Sequence, residues 1–160
     1  MNQVKHLQNS VFLPQVAQLV SEGHTVTLTA RGQSMMPFIR HNRDQLVLAK
    51  PDDWREGDVV LAEVKPGLFV CHRVVVLGLR DVLLQGDGNV RGYEHCKVDD
   101  VRAKLVGVVR GKTTYRLQRS ILWRIYSALW PETPFLRRVL LALYRVTHGM
   151  PLLARNVKLD

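Results

Sequence analysis

Between Gln45 and Gly111 the chain is a series of short apolar runs, each broken after a few residues by turn-forming residues. The runs are QLVLA, DVVLAEV, LFVCHRVVVL, DVLLQ and KLVGVVR, and the breaks are PDDWREGD, KPG, LGLRD and GDGNVRG. Runs rich in Val and Leu at this spacing indicate β-strands joined by tight turns. The pattern predicts a mainly β fold, with an antiparallel structure coiled into a barrel or a folded sandwich.

Helical patterns flank this β-rich stretch on both sides. The segment from Val11 to Glu22 has apolar residues at helical spacing, and Gly23 is placed to end the helix. After Tyr115 two more helices are predicted, RLQRSILWRIYSALW and PFLRRVLLALYRVTHG, with prolines between them. The prediction is a β-domain with an N-terminal helix over residues 1–112, followed by a basic helical hairpin and tail over residues 113–160.

Positive charge is concentrated in the predicted hairpin. The chain has 23 Lys and Arg against 14 Asp and Glu, a net charge of +9, and Glu132 is the only acid between Arg116 and Gly149. Such an excess favours an anionic partner. The hairpin is too apolar for a helix that only presents arginines to phosphates, so peripheral contact with an anionic membrane is predicted and nucleic-acid binding is not. The alternatives are that the hairpin only packs against the β-domain, or that it contacts a partner protein or nucleic acid.

The cysteines and the apolar runs bear on metals and on location. Cys71 and Cys96 are too few for a disulfide scaffold, and the histidine beside each would point to the opposite face of a strand, so no zinc site is predicted. No signal peptide is visible, and no stretch reaches the roughly 18 apolar residues of a spanning helix. We expect a cytoplasmic protein, or one peripheral at the cytoplasmic face of the membrane, without a transmembrane anchor.

Ser34 is the first candidate for chemistry. It lies in GQSMMP, a corner that a glycine opens and a proline closes, just after the predicted strand HTVTLTARG. A tight turn there can expose the hydroxyl oxygen and direct backbone N–H groups at one point, as a nucleophile with an oxyanion hole requires. A serine that only forms or caps the turn is the alternative.

His72 and Asp87 are the candidate partners of Ser34. His72 lies within the predicted strand FVCHRVVV, whereas the other histidines lie in termini or loops, and a serine nucleophile needs a base within hydrogen-bond reach. Asp87, in the turn LLQGDGN, could orient the imidazole, although turn formation alone would also explain it. The other acids that spacing leaves open are Asp44, Asp58, Asp99 and Asp100.

Taken in order, these motifs resemble one family. GQSMMPFI, DQLVLA, EGDVVLAEV, CHRVV, LQGDGN and VGVV together resemble the S26 signal peptidases, with the LexA-like S24 peptidases as more distant relatives. The resemblance covers roughly Ala30 to Arg110. It implies an S24/S26 peptidase fold and a serine endopeptidase that processes a precursor or signal peptide, with small residues before the cut and no metal or organic cofactor.

The resemblance also implies roles for single residues. Ser34 matches the nucleophile, His72 matches the base in the histidine-base type of the family, and Asp87 matches the aspartate of the Gly-Asp-Asn turn. Histidine-type members carry a further aspartate pair where this chain has Gly92 and Tyr93. The third member of the triad is therefore expected to be Asp87. The acids that remain as alternatives for it are Asp99 and Asp100.

The chain departs from the family in two further respects. Some family members add a serine hydroxyl to the oxyanion hole where this chain has Gly32, which leaves the backbone N–H of Ser34 for that role. Family members also usually have an N-terminal membrane anchor, which is not predicted here.

Two rival functions remain beside the peptidase. A non-catalytic peptide-binding or regulatory module with the same fold is the alternative function. A self-cleaving LexA-like repressor is disfavoured, because His72 stands where such proteins use lysine.

Overall fold

A computed structural model of the chain describes residues 9–117, 120–130 and 133–148. Within these ranges the strands are β1 (Val26–Thr29), β2 (Asp44–Ala49), β3 (Val59–Lys65), β4 (Leu68–Leu77), β5 (Asp81–Gln85), β6 (Glu94–Lys97), β7 (Val101–Arg110) and β8 (Thr113–Arg116). The helices are α1 (Asn9–Ser21), α2 (Ile121–Leu129) and α3 (Pro134–Thr147), and a 3₁₀ helix (Val98–Asp100) precedes β7. The prediction of a mainly β fold with helices at both ends is confirmed.

All the strand pairs are antiparallel, and they form one sheet in the order β1-β2-β7-β3-β4-β5-β6. The long strand β7 organises the sheet. One edge of β7 pairs with β2, while its other edge pairs with β3 over residues 101–104 and with β8 over residues 107–110. β7 thus changes partner along its length, and the sheet, twisted as sheets are, curls into a half-barrel.

The central strand β3 is buried on both faces. Val59 and Leu61 belong to a core that α1 covers, whereas Val60 and Ala62 belong to a second core shared with β4, β5 and β7. Neighbouring residues of a strand point to opposite faces, so this alternation divides the apolar side chains between the two cores. The same alternation applies to β4, where His72 and Arg73 are neighbours.

The helix ends follow local sequence signals. In α1, Val16 and Val20 face the core one turn apart, and Gly23 follows the helix at φ +92°, as its predicted role in ending the helix requires. The helix predicted to begin at Arg116 begins at Ile121, where the Ser120 side chain accepts a hydrogen bond of 3.2 Å from the Trp123 N–H.

Two strands occur where the sequence shows no apolar run. β8 lies in the range assigned to the helical hairpin, and all four of its residues are exposed. β6 has the sequence EHCK, in which only Cys96 is buried. Both pair along one edge only, so they need few apolar residues to be held in the sheet. β6 also carries a residue that matters for the site.

Candidate active site

Ser34 and His72 line the same cavity, which has a volume of about 430 Å³. Ser34 follows β1 and is half-buried, while His72 lies on β4 and is buried. In the sheet, β2, β7 and β3 separate β1 from β4. Only the curl of the sheet therefore allows both residues to reach one cavity.

The loop that carries Ser34 begins with a turn that Gly32 forms without steric strain. Gly32 has φ +92°, a conformation that glycine adopts without steric cost. Its N–H donates a hydrogen bond of 3.0 Å to Nδ1 of His41, near the other end of the loop. The Met36–Pro37 peptide bond, two residues after Ser34, is cis. The hydrogen bond from Gly32 to His41 thus joins the two ends of the loop that contains Ser34.

Asp44 anchors the end of this loop from inside the protein. Its carboxylate accepts hydrogen bonds from the side chains of Arg43 and Arg110 and from the backbone N–H of Arg40. Arg110 also donates to the carbonyl oxygen of Phe38 at 2.9 Å. Burial alone would raise the pKa of Asp44, but the hydrogen bonds from Arg43 and Arg110 outweigh it and lower that pKa to about 2. Asp44, a competitor for the triad on sequence grounds, is therefore a scaffold residue.

Glu94 is the carboxylate that contacts the imidazole of His72. Oε2 of Glu94 lies 2.8 Å from Nδ1 of His72. Glu94 opens β6, and β5 separates β6 from β4 in the sheet. A carboxylate at Nδ1 favours the tautomer with a proton on Nδ1, which leaves Nε2 as a hydrogen-bond acceptor and a base. The contact with Glu94 thus orients the ring and favours one tautomer.

Asp87 contacts Arg73, so the expectation that it orients His72 is wrong. Oδ1 and Oδ2 of Asp87 accept hydrogen bonds of 2.8 and 2.7 Å from Nε and Nη2 of Arg73. Both residues are buried. Burial acts to lower the pKa of Arg73, but the Asp87 carboxylate outweighs it and raises that pKa. Because His72 and Arg73 are neighbours on β4, their side chains leave the strand on opposite faces and meet different acids.

Two of the other acids, Asp58 and Asp100, also contact other groups. Asp99 and Asp100 lie in the 3₁₀ helix, where Oδ2 of Asp100 accepts from the N–H of Lys97 and Oδ1 lies 3.5 Å from Nη2 of Arg102. Asp58 lies 3.1 Å from Nζ of Lys104.

The turn that contains Asp87 packs against the loop that contains Ser34, backbone to backbone. The N–H of Gly88 donates a hydrogen bond of 2.7 Å to the carbonyl oxygen of Ser34. A β-carbon on Gly88 would lie 2.5 Å from the carbonyl oxygen of Gln33, and one on Gly86 would clash with the carbonyl oxygen of Ser34. Both glycines are required because no side chain fits between the two segments. The Gly-Asp-Gly-Asn turn therefore positions the candidate nucleophile.

Helices α2 and α3 support this turn from behind. Arg73, besides holding Asp87, donates to the carbonyl oxygen of Gly57 and to the Ser127 hydroxyl of α2 at 2.6 and 2.7 Å. Its guanidinium lies over the ring of Trp123, 5.0 Å from the centroid. Arg137 of α3 donates to the carbonyl oxygens of Gly86 and Asn89 at 3.4 and 3.0 Å. The two helices are therefore part of the structure that positions Ser34.

The described residues contain no group of three His, Cys, Asp or Glu side chains placed to hold a metal ion. Burial raises the pKa of Cys71 to about 12, and burial together with Asp100 raises the pKa of Cys96 to about 11. Both thiols therefore stay protonated and act as small apolar side chains.

Glu94 is the residue that sequence reasoning missed. The resemblance indicates a second acidic position at residues 92 and 93, and in this chain the acid follows one residue later. This acid, Glu94, lies on a strand whose apolar pattern is too weak to detect, and it contacts His72. An acid within two residues of the expected position was the signal that could have identified it.

Within the described ranges, no helix is both long enough and apolar enough to cross a membrane. In comparisons with known proteins, no family model and no curated protein matches the chain.

Proposed function

We propose that this chain is a serine endopeptidase that uses Ser34 as its nucleophile and His72 as its general base. One observation carries the proposal: His72 lines the same cavity as Ser34 and has a carboxylate 2.8 Å from its Nδ1. A carboxylate at Nδ1 is the arrangement that fixes the tautomer of a catalytic histidine and stabilises its imidazolium. The S24/S26 peptidase fold belongs to this proposal, and the motif resemblance supports it.

In the proposed reaction, Nε2 of His72 takes the proton of the Ser34 hydroxyl as Oγ attacks the peptide carbonyl carbon. The backbone N–H of Ser34 stabilises the negative charge that develops on the carbonyl oxygen. Collapse of the tetrahedral intermediate breaks the C–N bond, and the imidazolium gives its proton to the leaving amine. Water, deprotonated by His72, then hydrolyses the acyl-enzyme and regenerates Ser34.

Glu94 takes the role that the sequence assigned to Asp87. Its carboxylate stabilises the imidazolium that forms when Ser34 loses its proton, and it keeps the ring oriented. Asp87 and Arg73 act one step away, by holding the turn that packs against Ser34. They are positioning residues in this proposal.

The proposed substrate is a precursor or signal peptide. The resemblance favours small residues before the scissile bond, while the cavity has apolar walls from α1, β1 and β2 and has room for larger side chains. Site of action in the cytoplasm, or at the cytoplasmic face of the membrane, is part of the same proposal. A peptide series that varies the residue before the cut from Ala to Leu would define the preference.

The experiment that tests catalysis is covalent labelling with a fluorophosphonate probe, read out by intact mass. We expect one adduct on the full chain, none on Ser34→Ala, and a strongly slowed reaction on His72→Ala. Ser21→Ala is the matched control, because Ser21 is exposed and its hydroxyl donates only to the carbonyl oxygen of Gln18. Absence of labelling at Ser34, together with retained peptide binding, would replace the peptidase with the non-catalytic binding module.

A further inference from the structure

Helix α3 is oriented against the usual rule for a helix on a water-soluble domain. It turns Arg137, Leu141 and Tyr144 toward the protein, and Arg137 is only 4% exposed. Its six exposed apolar residues recur at spacings of three and four, and so share one face of the helix: Phe135, Leu136, Val139, Leu140, Leu143 and Val146. A helix on a water-soluble domain normally buries such a stripe. This one presents it to the surroundings.

Helix α2 shows the same arrangement. Its inner face is aromatic, with Trp123 buried in the core and the Tyr126 ring stacked on Trp130 at 5.1 Å between centroids. Its outer face carries four apolar side chains that are 48% to 79% exposed. They are Ile121, Leu122, Ile125 and Leu129. Ten large apolar side chains are thus exposed on the outer faces of two helices, far more than the isolated apolar residues of an ordinary surface.

Arginines border the apolar outer face of α2 and α3. Arg124 and Arg138 are exposed, one on each helix, and Arg116, the last residue of β8, is also exposed. Glu132 is the only acid between Arg116 and Gly149. The sequence of this segment therefore has a large excess of positive charge. A second copy of the chain on this face would bring arginines close to arginines. An anionic lipid surface would neutralise them and at the same time accept the apolar side chains.

We propose that the outer face of α2 and α3 is a docking surface for an anionic lipid bilayer. The helices would lie in the plane of the interface, with their apolar side chains among the acyl chains and their arginines at the phosphates. Because α2 and α3 also hold Arg73 and the Gly86–Asn89 turn, this docking would fix the distance between the candidate active site and the membrane. The inference does not require that Ser34 is a nucleophile, so the two proposals can fail independently.

The test is co-sedimentation of the full chain with vesicles of phosphatidylcholine alone and of phosphatidylcholine mixed with phosphatidylglycerol. We expect binding to the mixed vesicles, weakened but not abolished by salt. The double variant Leu122→Gln and Phe135→Gln should lose at least roughly tenfold in partitioning, because both side chains are 79% exposed and leave the protein core unchanged. Leu79→Gln is the matched control, since Leu79 is fully exposed in the turn between β4 and β5.

A second pair of variants separates charge from apolar contact. Arg124→Gln and Arg138→Gln should each weaken binding to the mixed vesicles by roughly fivefold. Arg80→Gln, an exposed arginine away from both helices, should have no effect. Circular dichroism of each variant confirms folding. The proposal is overturned if the full chain stays in the supernatant with mixed vesicles at low salt. It is equally overturned if Leu122→Gln with Phe135→Gln dissolves a dimer without changing lipid binding.

Discussion

Arg73 and Asp87 form a buried bidentate ion pair, with N–O distances of 2.8 and 2.7 Å, immediately next to the candidate base His72 in the chain. Two neighbouring residues of one strand thus serve two purposes. His72 meets Glu94 on one face of β4, and Arg73 meets Asp87 on the other. Substitutions of Glu94 and of Asp87 should therefore have different effects on catalysis and on stability.

Replacing Asp87 should chiefly cost stability. Asp87→Ala leaves the Arg73 guanidinium buried without its counter-ion, and the loss of one partner of a buried pair costs about 3–5 kcal/mol. Urea denaturation monitored by tryptophan fluorescence measures this cost. Asp52→Ala is the control, because the Asp52 side chain is exposed and its only described ion pair, to Lys50, spans 3.9 Å. If Asp87→Ala were as stable as the parent chain, the ion pair would have no structural role.

Replacing Glu94 should chiefly cost turnover. Glu94→Gln keeps a hydrogen-bonding group at Nδ1 of His72 but removes the charge that stabilises imidazolium, so we expect a loss of about 10²–10⁴ in rate. Stability should change by less than about 1 kcal/mol, since the side chain is part-exposed on the edge strand β6. Labelling rates with the fluorophosphonate probe provide the measurement. Glu22→Gln is the control, because Glu22 is exposed in the turn just after α1.

A rate for Glu94→Gln equal to that of the parent chain would show that the contact to His72 is only structural. Partial rescue by Glu94→Asp, which restores the charge on a shorter side chain, would support the orienting role. Those two outcomes separate a charge effect from a general disturbance of β6.

Adding one methyl group to Gly88 should displace Ser34. In Gly88→Ala the β-carbon would lie 2.5 Å from the carbonyl oxygen of Gln33, so the turn or the Ser34 loop must move. We expect both a lower labelling rate and a lower midpoint of thermal unfolding. Gly111→Asn is the matched control, because asparagine tolerates φ +60° and nothing lies within 4 Å of the added β-carbon. Unchanged labelling of Gly88→Ala would mean that the turn does not position the nucleophile.

Acid should destabilise the protein through Asp44. The hydrogen bonds from Arg43 and Arg110 lower the folded-state pKa of Asp44 to about 2 from an ordinary value of 3.8. Its contribution is therefore fully present above about pH 4 and is lost as the pH falls toward 2. After allowance for solvent screening, that contribution is about 1–2 kcal/mol.

The free energy of unfolding, measured in urea between pH 2 and pH 6, tests this effect. The free energy of unfolding of the parent chain should fall as the pH is lowered from about 4 to 2. Asp44→Asn should be less stable than the parent chain at neutral pH, and its free energy of unfolding should fall less over the same range. Identical pH profiles for the two proteins would exclude Asp44 as a source of acid sensitivity.

The sequence predicted the strands that carry apolar runs and could not predict the two that do not. β2, β3, β4 and β5 were expected within a residue or two, because burial on at least one face demands Val and Leu at these positions. β6 has a single buried residue and is held mainly by backbone hydrogen bonds to β5. Backbone hydrogen bonds do not depend on which side chains are present, so the sequence could not predict this strand.

For the site, local motifs indicated the residues but not the pairing between them. GQSMMP and CHRVV identified Ser34 and His72, which the curl of the sheet brings to one cavity. The choice between Asp87 and Glu94 depends on which face of β4 each residue reaches, and only the register of β4, β5 and β6 determines that. The turn motif LQGDGN alone could not show whether Asp87 would contact His72 or Arg73.

The hydrogen bonds from Arg137 to the Gly86–Asn89 turn have a consequence for synthesis on the ribosome. Arg137 is 51 residues after Gly86 in the chain, so the sheet and the Ser34 loop are translated well before the donor that completes the turn. A nascent chain that ends at β8 contains the residues of β1–β8 but neither of the helices that support the turn. The support that Arg137 gives to this turn can therefore form only after α3 has been translated, later than the sheet and the Ser34 loop that the turn packs against.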